Sequence, residues 1–454
     1  MRNLTTPILV LALVGCAAIN TPVPSPQIAP PTAWNESVAP GAAIVAPDWW
    51  KSFDSAELQA LVTEALAGSP DLAIATERVR QAEAQVRVAG SSLFPSLDLG
   101  FNSRASRSEG TSGESSNASL SASYEVDLWG RNRAGVRGAE AGLRATIYDR
   151  ETARITLVAG VANAYFEVLS LRGRLAVARE NLAIAERVLA LVQARARSGA
   201  VSPLDVARQE AAVLSQRAAL LPLEQLERQT LAALAVLAGR LPEGFDVKAA
   251  GVADLSVPSI SPGLPADLLA RRPDLAAAEA GLAAANADLS VARAALLPSI
   301  QLTGSAGVAS GALLAFLNGP ATTVALAASV LQPIFNGGRL RAGVTIAESR
   351  ERELVETYRK AILAAFADVE SVLAANSRLA QREALQAQVQ ERAREALRLA
   401  EVRYREGADD LLTVLDAQRT LFSADDQLAQ VRLERLETAV ALYKALGGGW
   451  KGTA

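Results

Sequence analysis

The sequence predicts a mostly α-helical chain that carries a membrane β-sheet, built from two copies of one unit. Three observations lead there. Segments recur in order: Pro70-Asp71-Leu72 returns as Pro273-Asp274-Leu275, Leu93-Phe94-Pro95-Ser96 as Leu296-Leu297-Pro298-Ser299, Arg133-Ala134-Gly135 as Arg341-Ala342-Gly343, and Gly199-Ala200 as Gly407-Ala408. An offset that stays near ~205 residues marks a duplicated unit. Each copy holds a helical run of roughly 65 residues, Arg131 to Arg197 and Arg339 to Arg405, about 100 Å long at the helical rise. Two short segments of alternating polarity precede each run.

The N-terminus reads as an address. Met1-Arg2 is a short positive start and Ile8 to Val14 an apolar run too short for a stable transmembrane anchor. Leu13-Val14-Gly15-Cys16 looks like a bacterial lipobox, which makes residues 1–15 a lipoprotein signal peptide and Cys16 the lipidated first residue. The residue after it is Ala17 rather than aspartate; by analogy with known lipoproteins this favours the outer membrane. Residues 16–53 form the lipidated N-terminus and a tether. Its proline-rich part, Thr21 to Pro47, predicts an extended segment with no packed structure.

The first repeat spans 54–240, with a strand pair at about 96–129 and helices at 131–198 and 203–238. From Asn117 to Gly130, Leu120, Ala122, Tyr124, Val126 and Leu128 face one way, and Ser119, Ser121, Ser123, Glu125 and Asp127 the other. Period two over this length suits a tilted membrane strand. Leu97 to Arg104 is its partner, and the Ser/Gly/Glu stretch Arg107 to Ser116 is the loop between them.

A linker at 241–272 leads to the second repeat, 273–446, with a strand pair at about 298–335, helices at 339–405 and 409–446, and a tail at 447–454. Ile300, Leu302, Gly304, Ala306 and Val308 alternate with Gln301, Thr303 and Ser305. After a loop at Asn318-Gly319-Pro320, Val324 to Leu331 closes the pair. Gly311 to Phe335 is apolar enough for a transmembrane helix, but that loop and Pro333 interrupt it. Four strands cannot close a membrane barrel, and an open sheet edge in lipid leaves unpaired backbone groups. Several chains must therefore share one barrel.

The long helices carry a heptad-like seam: Leu182, Ala185, Leu189, Val192 and Ala196 in one copy, Val389, Ala393, Ala396, Ala400 and Tyr404 in the other. Each helix ends at a glycine, Gly199 or Gly407, and a new helix begins at Ser202-Pro203-Leu204-Asp205 or near Asp409-Asp410. Ser202 can cap, with Pro203 at the first helical position. Each copy thus makes a helical hairpin with its tip at the end opposite the strands.

Composition narrows the function. Histidine is absent and Cys16 is the only cysteine. Imidazole acid–base chemistry, the commonest metal ligand, disulfides and cysteine-rich zinc sites are thereby removed. There is no Gly-x-Ser-x-Gly elbow or phosphate-cradling loop, so the chain reads as a non-enzyme without a cofactor beyond the lipid on Cys16. A net charge of −3 gives no footprint for nucleic acid.

These residues resemble a family. Trp49-Trp50-Lys51-Ser52-Phe53-Asp54 is similar to the segment before the first helix of TolC-type outer-membrane factors. Arg403-Tyr404-Arg405-Glu406-Gly407 through Leu412-Thr413-Val414-Leu415-Asp416-Ala417-Gln418-Arg419 resembles their second hairpin tip. Ala441-Leu442-Tyr443-Lys444-Ala445-Leu446-Gly447-Gly448-Gly449-Trp450 resembles their terminal signature. The likeness runs from Cys16 to about Trp450, within the lipoprotein (OprM/NodT-like) branch that serves tripartite efflux pumps.

The resemblance implies a homotrimer with a twelve-stranded barrel, four strands per chain, continued by an α-helical tunnel through the periplasm and belted by residues 241–272. It implies an inner-membrane RND transporter and a periplasmic adaptor as partners, and passive exit of small toxic compounds across the outer membrane. It places Leu412 and Asp416 at a periplasmic gate. Arg419, three residues beyond Asp416, is the expected ion partner within or between chains. It adds adaptor docking at the tips, by Gly199, Ser202, Asp205, Gly407, Asp409 and Asp410; the carboxylates there also complement helix starts. Two alternatives remain: the same channel serving type I protein secretion with an ABC exporter, and a non-channel lipoprotein spacing two membranes.

Overall fold

The computed structural model describes residues 22–26, 28–36, 45–108, 111–252, 255–311 and 320–452. Cys16 and the Asn318-Gly319 part of the expected loop lie outside them. Among the described residues the order is a 3-10 turn Trp49–Phe53, α1 (Ala56–Gly68), α2 (Pro70–Ser91), β1 (Ser96–Ser108), β2 (Thr111–Glu125), α3 (Arg131–Arg197) and α4 (Pro203–Leu237). A 3-10 turn Pro265–Asp267 then leads to α5 (Leu268–Arg271), α6 (Pro273–Ala294), β3 (Ser299–Ser310), β4 (Ala321–Leu331), α7 (Arg339–Arg405) and α8 (Leu411–Ala445). The chain divides into two compact units, and the long helices α3 and α7 contribute to both.

The first unit contains Thr76–Asp149 and Asp274–Ala361. Its sheet has the order β1-β2-β3-β4, every pair antiparallel. The register gives it two unlike faces. Leu99 lies opposite Leu120, Leu120 opposite Ala306, and Ala306 opposite Val324, so the apolar residues share one face. On the other, Asp98, Ser121, Ser305 and Ala325 fall in line. The apolar face is open: Leu99 is 81% and Leu326 87% exposed.

Two expectations about this sheet need correction. Arg107 to Ser116 is not a loop, because β1 runs to Ser108 and β2 starts at Thr111, with Arg104 opposite Ser115 and Ser106 opposite Gly113. These residues carry no apolar alternation, and the pairing of backbone, not polarity, makes them strand. At the other end β2 stops at Glu125, not Gly130. Val126 donates a last backbone bond to Ile300, and the chain then turns. Asp127 leaves the strand to accept the backbone N–H groups of Asn132 and Arg133, both at 3.0 Å, in the first turn of α3. Burial raises the Asp127 carboxyl, but these N–H groups and the Arg133 guanidinium outweigh it and hold its pKa below the usual range.

The second unit contains Ala29–Ala75, Arg150–Pro273 and Ile362–Ala454. Its largest core gathers Trp49, Phe53, Leu58, Val62, Val161, Phe166, Leu234 and Val440. Trp49 stacks on Tyr443 at 4.9 Å between ring centres, and Phe53 meets Phe166 at 4.9 Å. The linker is fastened to this core by two side chains. Glu57 accepts the backbone N–H of Lys248 and Ala249, and Arg172 donates to Glu227 and to the carbonyls of Val247 and Ala249.

Part of the tether, Trp34 to Glu36, is packed, against expectation. The Trp34 indole donates to the Gly263 carbonyl at 2.9 Å and its ring lies 6.1 Å from Phe366. Asn35 donates its backbone N–H to Glu370, and Glu36 pairs with Arg378 at 3.7 Å. Proline-rich composition fixes an extended backbone here, but one aromatic ring suffices to dock it.

The coiled-coil seam keeps most of its expected residues, with Ala185, Val192, Ala393, Ala400 and Tyr404 buried, and is wider than expected. Ile184, Val188 and Val192 on α3 pack with Ala393, Leu397, Ala400 and Tyr404 on α7 and Leu411, Val414 and Leu421 on α8. Val389 and Ala396 are exposed. Alanine at many helical positions leaves two adjacent stripes apolar, so the larger Ile184 and Leu397 join the expected residues in the buried seam.

Candidate functional site

The tips of the two helical hairpins carry the residues singled out above. α3 ends at a left-handed glycine, Gly199 at φ +76°, and α7 at Gly407 at φ +78°. The N–H of Ala200 returns to the Arg195 carbonyl and that of Ala408 to the Arg403 carbonyl, both at 2.9 Å. Both hairpins thus close their helix with the same glycine motif. Nothing lies within 4 Å of a Cβ built on Gly199, so its role there is conformational.

The helices that follow start by two related devices. Ser202 and Asp205 form a reciprocal capping box on α4, with Pro203 in the first turn. On α8 the Asp410 carboxylate accepts from Thr413 N–H at 3.1 Å and from its hydroxyl at 3.0 Å. Asp409 takes a bidentate pair from Arg403, at 2.7 and 3.0 Å, and that guanidinium holds its carboxyl below the usual range. Asp205 and Asp410 therefore act on helix starts, and Asp409 balances a cation.

Arg195 has a different partner. Its guanidinium sits 4.7 Å from the centre of the Tyr404 ring and donates to the Tyr404 carbonyl, linking the two hairpins. Tyr404 is buried, and no hydrogen-bond partner meets its hydroxyl among the described residues. Sequence reasoning passed over Arg195 and gave Arg403, within the second tip motif, no role of its own. The duplication held the signal: each stands four places before its glycine.

α8 presents two faces. Leu411, Val414, Gln418 and Leu421 are buried against the other long helices. Leu412, Asp416 and Arg419 lie on the opposite, exposed side, with Leu412 60% exposed. The structure brings these three onto one stripe. It does not pair them: among the described residues of one chain, neither the Asp416 carboxylate nor the Arg419 guanidinium has an ion-pair partner. The expected Asp416–Arg419 bridge within a chain is thus absent. Exposed pairs at this spacing do form elsewhere in the chain, as between Glu395 and Arg398 at 2.7 Å, so the interval permits such a bridge without requiring it.

Known proteins share this architecture. The profile of the outer membrane efflux protein family matches residues 61–240 and 264–448, more than half of the chain. The pyoverdine export outer membrane protein OpmQ of Pseudomonas putida is 44% identical over 99% of this chain and 98% of its own length. The toluene efflux pump outer membrane protein TtgF, from another strain of Pseudomonas putida, is 35% identical, over 89% of this chain and 85% of its own. Among solved structures, the outer-membrane channel OprN superposes with a TM-score of 0.84 at 28% identity, covering 94% of this chain and 99% of that one. The open state of the Neisseria gonorrhoeae MtrE outer membrane channel gives 0.86 at 30%, covering 95% and 98%. The four-stranded sheet, the long paired helices and these relatives agree: the chain is an outer-membrane channel component of TolC type and belongs to the outer membrane efflux protein family.

Proposed function

We propose that three copies of this chain close one twelve-stranded barrel, and that the trimer is the passive exit duct of a tripartite efflux pump. An inner-membrane RND transporter supplies the energy, and a periplasmic adaptor joins it to the hairpin tips. The cargo is small toxic compounds. The observation that carries this reading is the sheet: one face apolar and exposed, the other polar, both edge strands open. In hydrocarbon each unpaired backbone group costs several kcal/mol, so the edges of β1 and β4 must be sealed by further strands. Facing out, the apolar side meets lipid; facing in, the serine-rich side meets a water-filled lumen.

Conduction, not catalysis, is the activity. At the tip, Leu412 and Asp416 of three copies form an apolar ring and a carboxylate ring, and Arg419 reaches Asp416 of a neighbouring copy. Gly199, Ser202, Asp205, Gly407, Asp409 and Asp410 shape the surface an adaptor meets. Cys16 carries lipid that adds a second hold on the outer membrane. OpmQ and TtgF are named for pyoverdine export and toluene efflux, which favours small cargo over the alternative of protein secretion.

The test is purification in detergent followed by mass determination and planar-bilayer recording. A trimer that conducts supports the reading. A monomer that never conducts defeats it and leaves the spacer lipoprotein.

A further inference from the structure

The sheet records how the barrel must close, granted the shared barrel proposed above. The line of paired residues through Asn102, the middle of β1, passes Asn117 and Ala309 and meets β4 at Ala321, its first residue. The middle of β4 is Leu326, five residues further along. The strands therefore slip in one direction as the sheet is crossed, which is the stagger a barrel of tilted strands requires.

Three-fold symmetry makes the slip from one copy's β1 to the next copy's β1 the same at each seam. It must be even, because an odd slip would turn the apolar face of one copy into the lumen. A slip of about six residues continues the drift already present. Three such seams give about eighteen residues around twelve strands, a tilt of about 45° at ordinary strand rise and spacing. The opposite direction fails, because β4 would then fall on α2 residues rather than on β1.

We infer that β4 of one copy seals onto β1 of the next with Ala327 opposite Asn102. Lumen-side residues then meet lumen-side residues: Ser329 lies opposite Gly100, Ala325 opposite Arg104, and Thr323 opposite Ser106. On the lipid side Ala328 lies opposite Phe101 and Val330 opposite Leu99. All eleven residues of β4 find partners, from Asp98 to Ser108. The outer part of β1, Arg104 to Ser108, which projects beyond the end of β3 at Ser310, gains its missing neighbour there. The projecting ribbon is thus a wall of the duct and not a free hairpin.

Disulfide trapping tests this. Opposed residues bring Cα atoms within the ~4.4–6.8 Å a disulfide tolerates, while diagonal neighbours at ~7–8 Å fall outside it. Asn102→Cys is combined in turn with Ala325→Cys, Ala327→Cys and Ser329→Cys, which report slips of about four, six and eight. After mild oxidation the full-length protein is run on a denaturing gel with and without reductant. The parent chain, with Cys16 alone, is the control. The Asn102→Cys/Ala327→Cys protein is expected to migrate as a reductant-sensitive covalent trimer, and the other two as monomers. A covalent trimer from either other pair, or from none while the protein remains trimeric and conducting, overturns the register but leaves the shared barrel. A protein that is neither trimeric nor conducting overturns both.

Discussion

Three consecutive glycines close α8, and the first of them should be the least replaceable. Gly447 has φ +89°, and a Cβ there would lie 1.9 Å from the Arg271 carbonyl oxygen. Gly199 at φ +76° has the same handedness but open space around it. The pair separates two costs. Left-handed backbone disfavours a non-glycine residue by about 1–2 kcal/mol, and this is all that Gly199→Ala should lose. Gly447→Ala adds a displacement of packed backbone, about 1–3 kcal/mol more, for a total of about 2–5 kcal/mol. Helical circular dichroism of the detergent-purified proteins through a urea titration measures both. A loss at Gly447→Ala at least about 1 kcal/mol larger than at Gly199→Ala is expected on these terms. Equal losses would mean that the close approach to Arg271 is not felt, and the reasoning would fail.

The Asp416→Ala/Arg419→Ala double variant should raise single-channel conductance in planar bilayers, because it removes the proposed ring of charge and its inter-copy partner. Unchanged conductance would remove the gate assignment and leave the channel. Burial raises Glu383, but Arg435, at hydrogen-bond range, and Arg432, at 3.2 Å, outweigh it and lower its pKa. A depressed folded pKa contributes stability above the unfolded value of about 4.3, lost as pH falls through the lower folded value. Glu383→Gln should therefore flatten the decline of stability below about pH 5; an unaltered acid slope would contradict this. Cys16→Ser should abolish palmitate labelling in growing cells, and label on that variant would disprove the assigned acylation site.

Much of the fold was legible because its signals are local. Glycine ends a helix wherever it stands, so Gly199 and Gly407 marked both hairpin turns. Alternation from Leu120 to Tyr124 marked a strand because one face meets lipid and the other water. Where apolar alternation is missing, as at Arg104 to Ser106 and Gly113 to Ser115, the strand shows only through its partner and its pattern is silent. The tether misled for the opposite reason. Its prolines describe the backbone faithfully, but Trp34 finds Gly263 across more than two hundred residues, a distance no local pattern encodes.

The tip was legible in part. Helical spacing placed Leu412 and Asp416 together on the exposed stripe of α8. Spacing could not reveal that Asp416 and Arg419 stay apart within a chain, because a three-residue interval permits a pair without requiring one. Nor could it show that Arg195 directs its charge to Tyr404 while its repeat counterpart Arg403 binds Asp409. The two copies share their turns and differ in what the turns touch.

The most direct test of the efflux role is accumulation of a fluorescent pump substrate in cells lacking this protein, with and without the wild-type gene restored. Accumulation should rise on deletion and return to the parental level on complementation. Unchanged accumulation in a strain cleared of related channels would contradict the exit-duct account and leave a channel of this architecture serving another cargo.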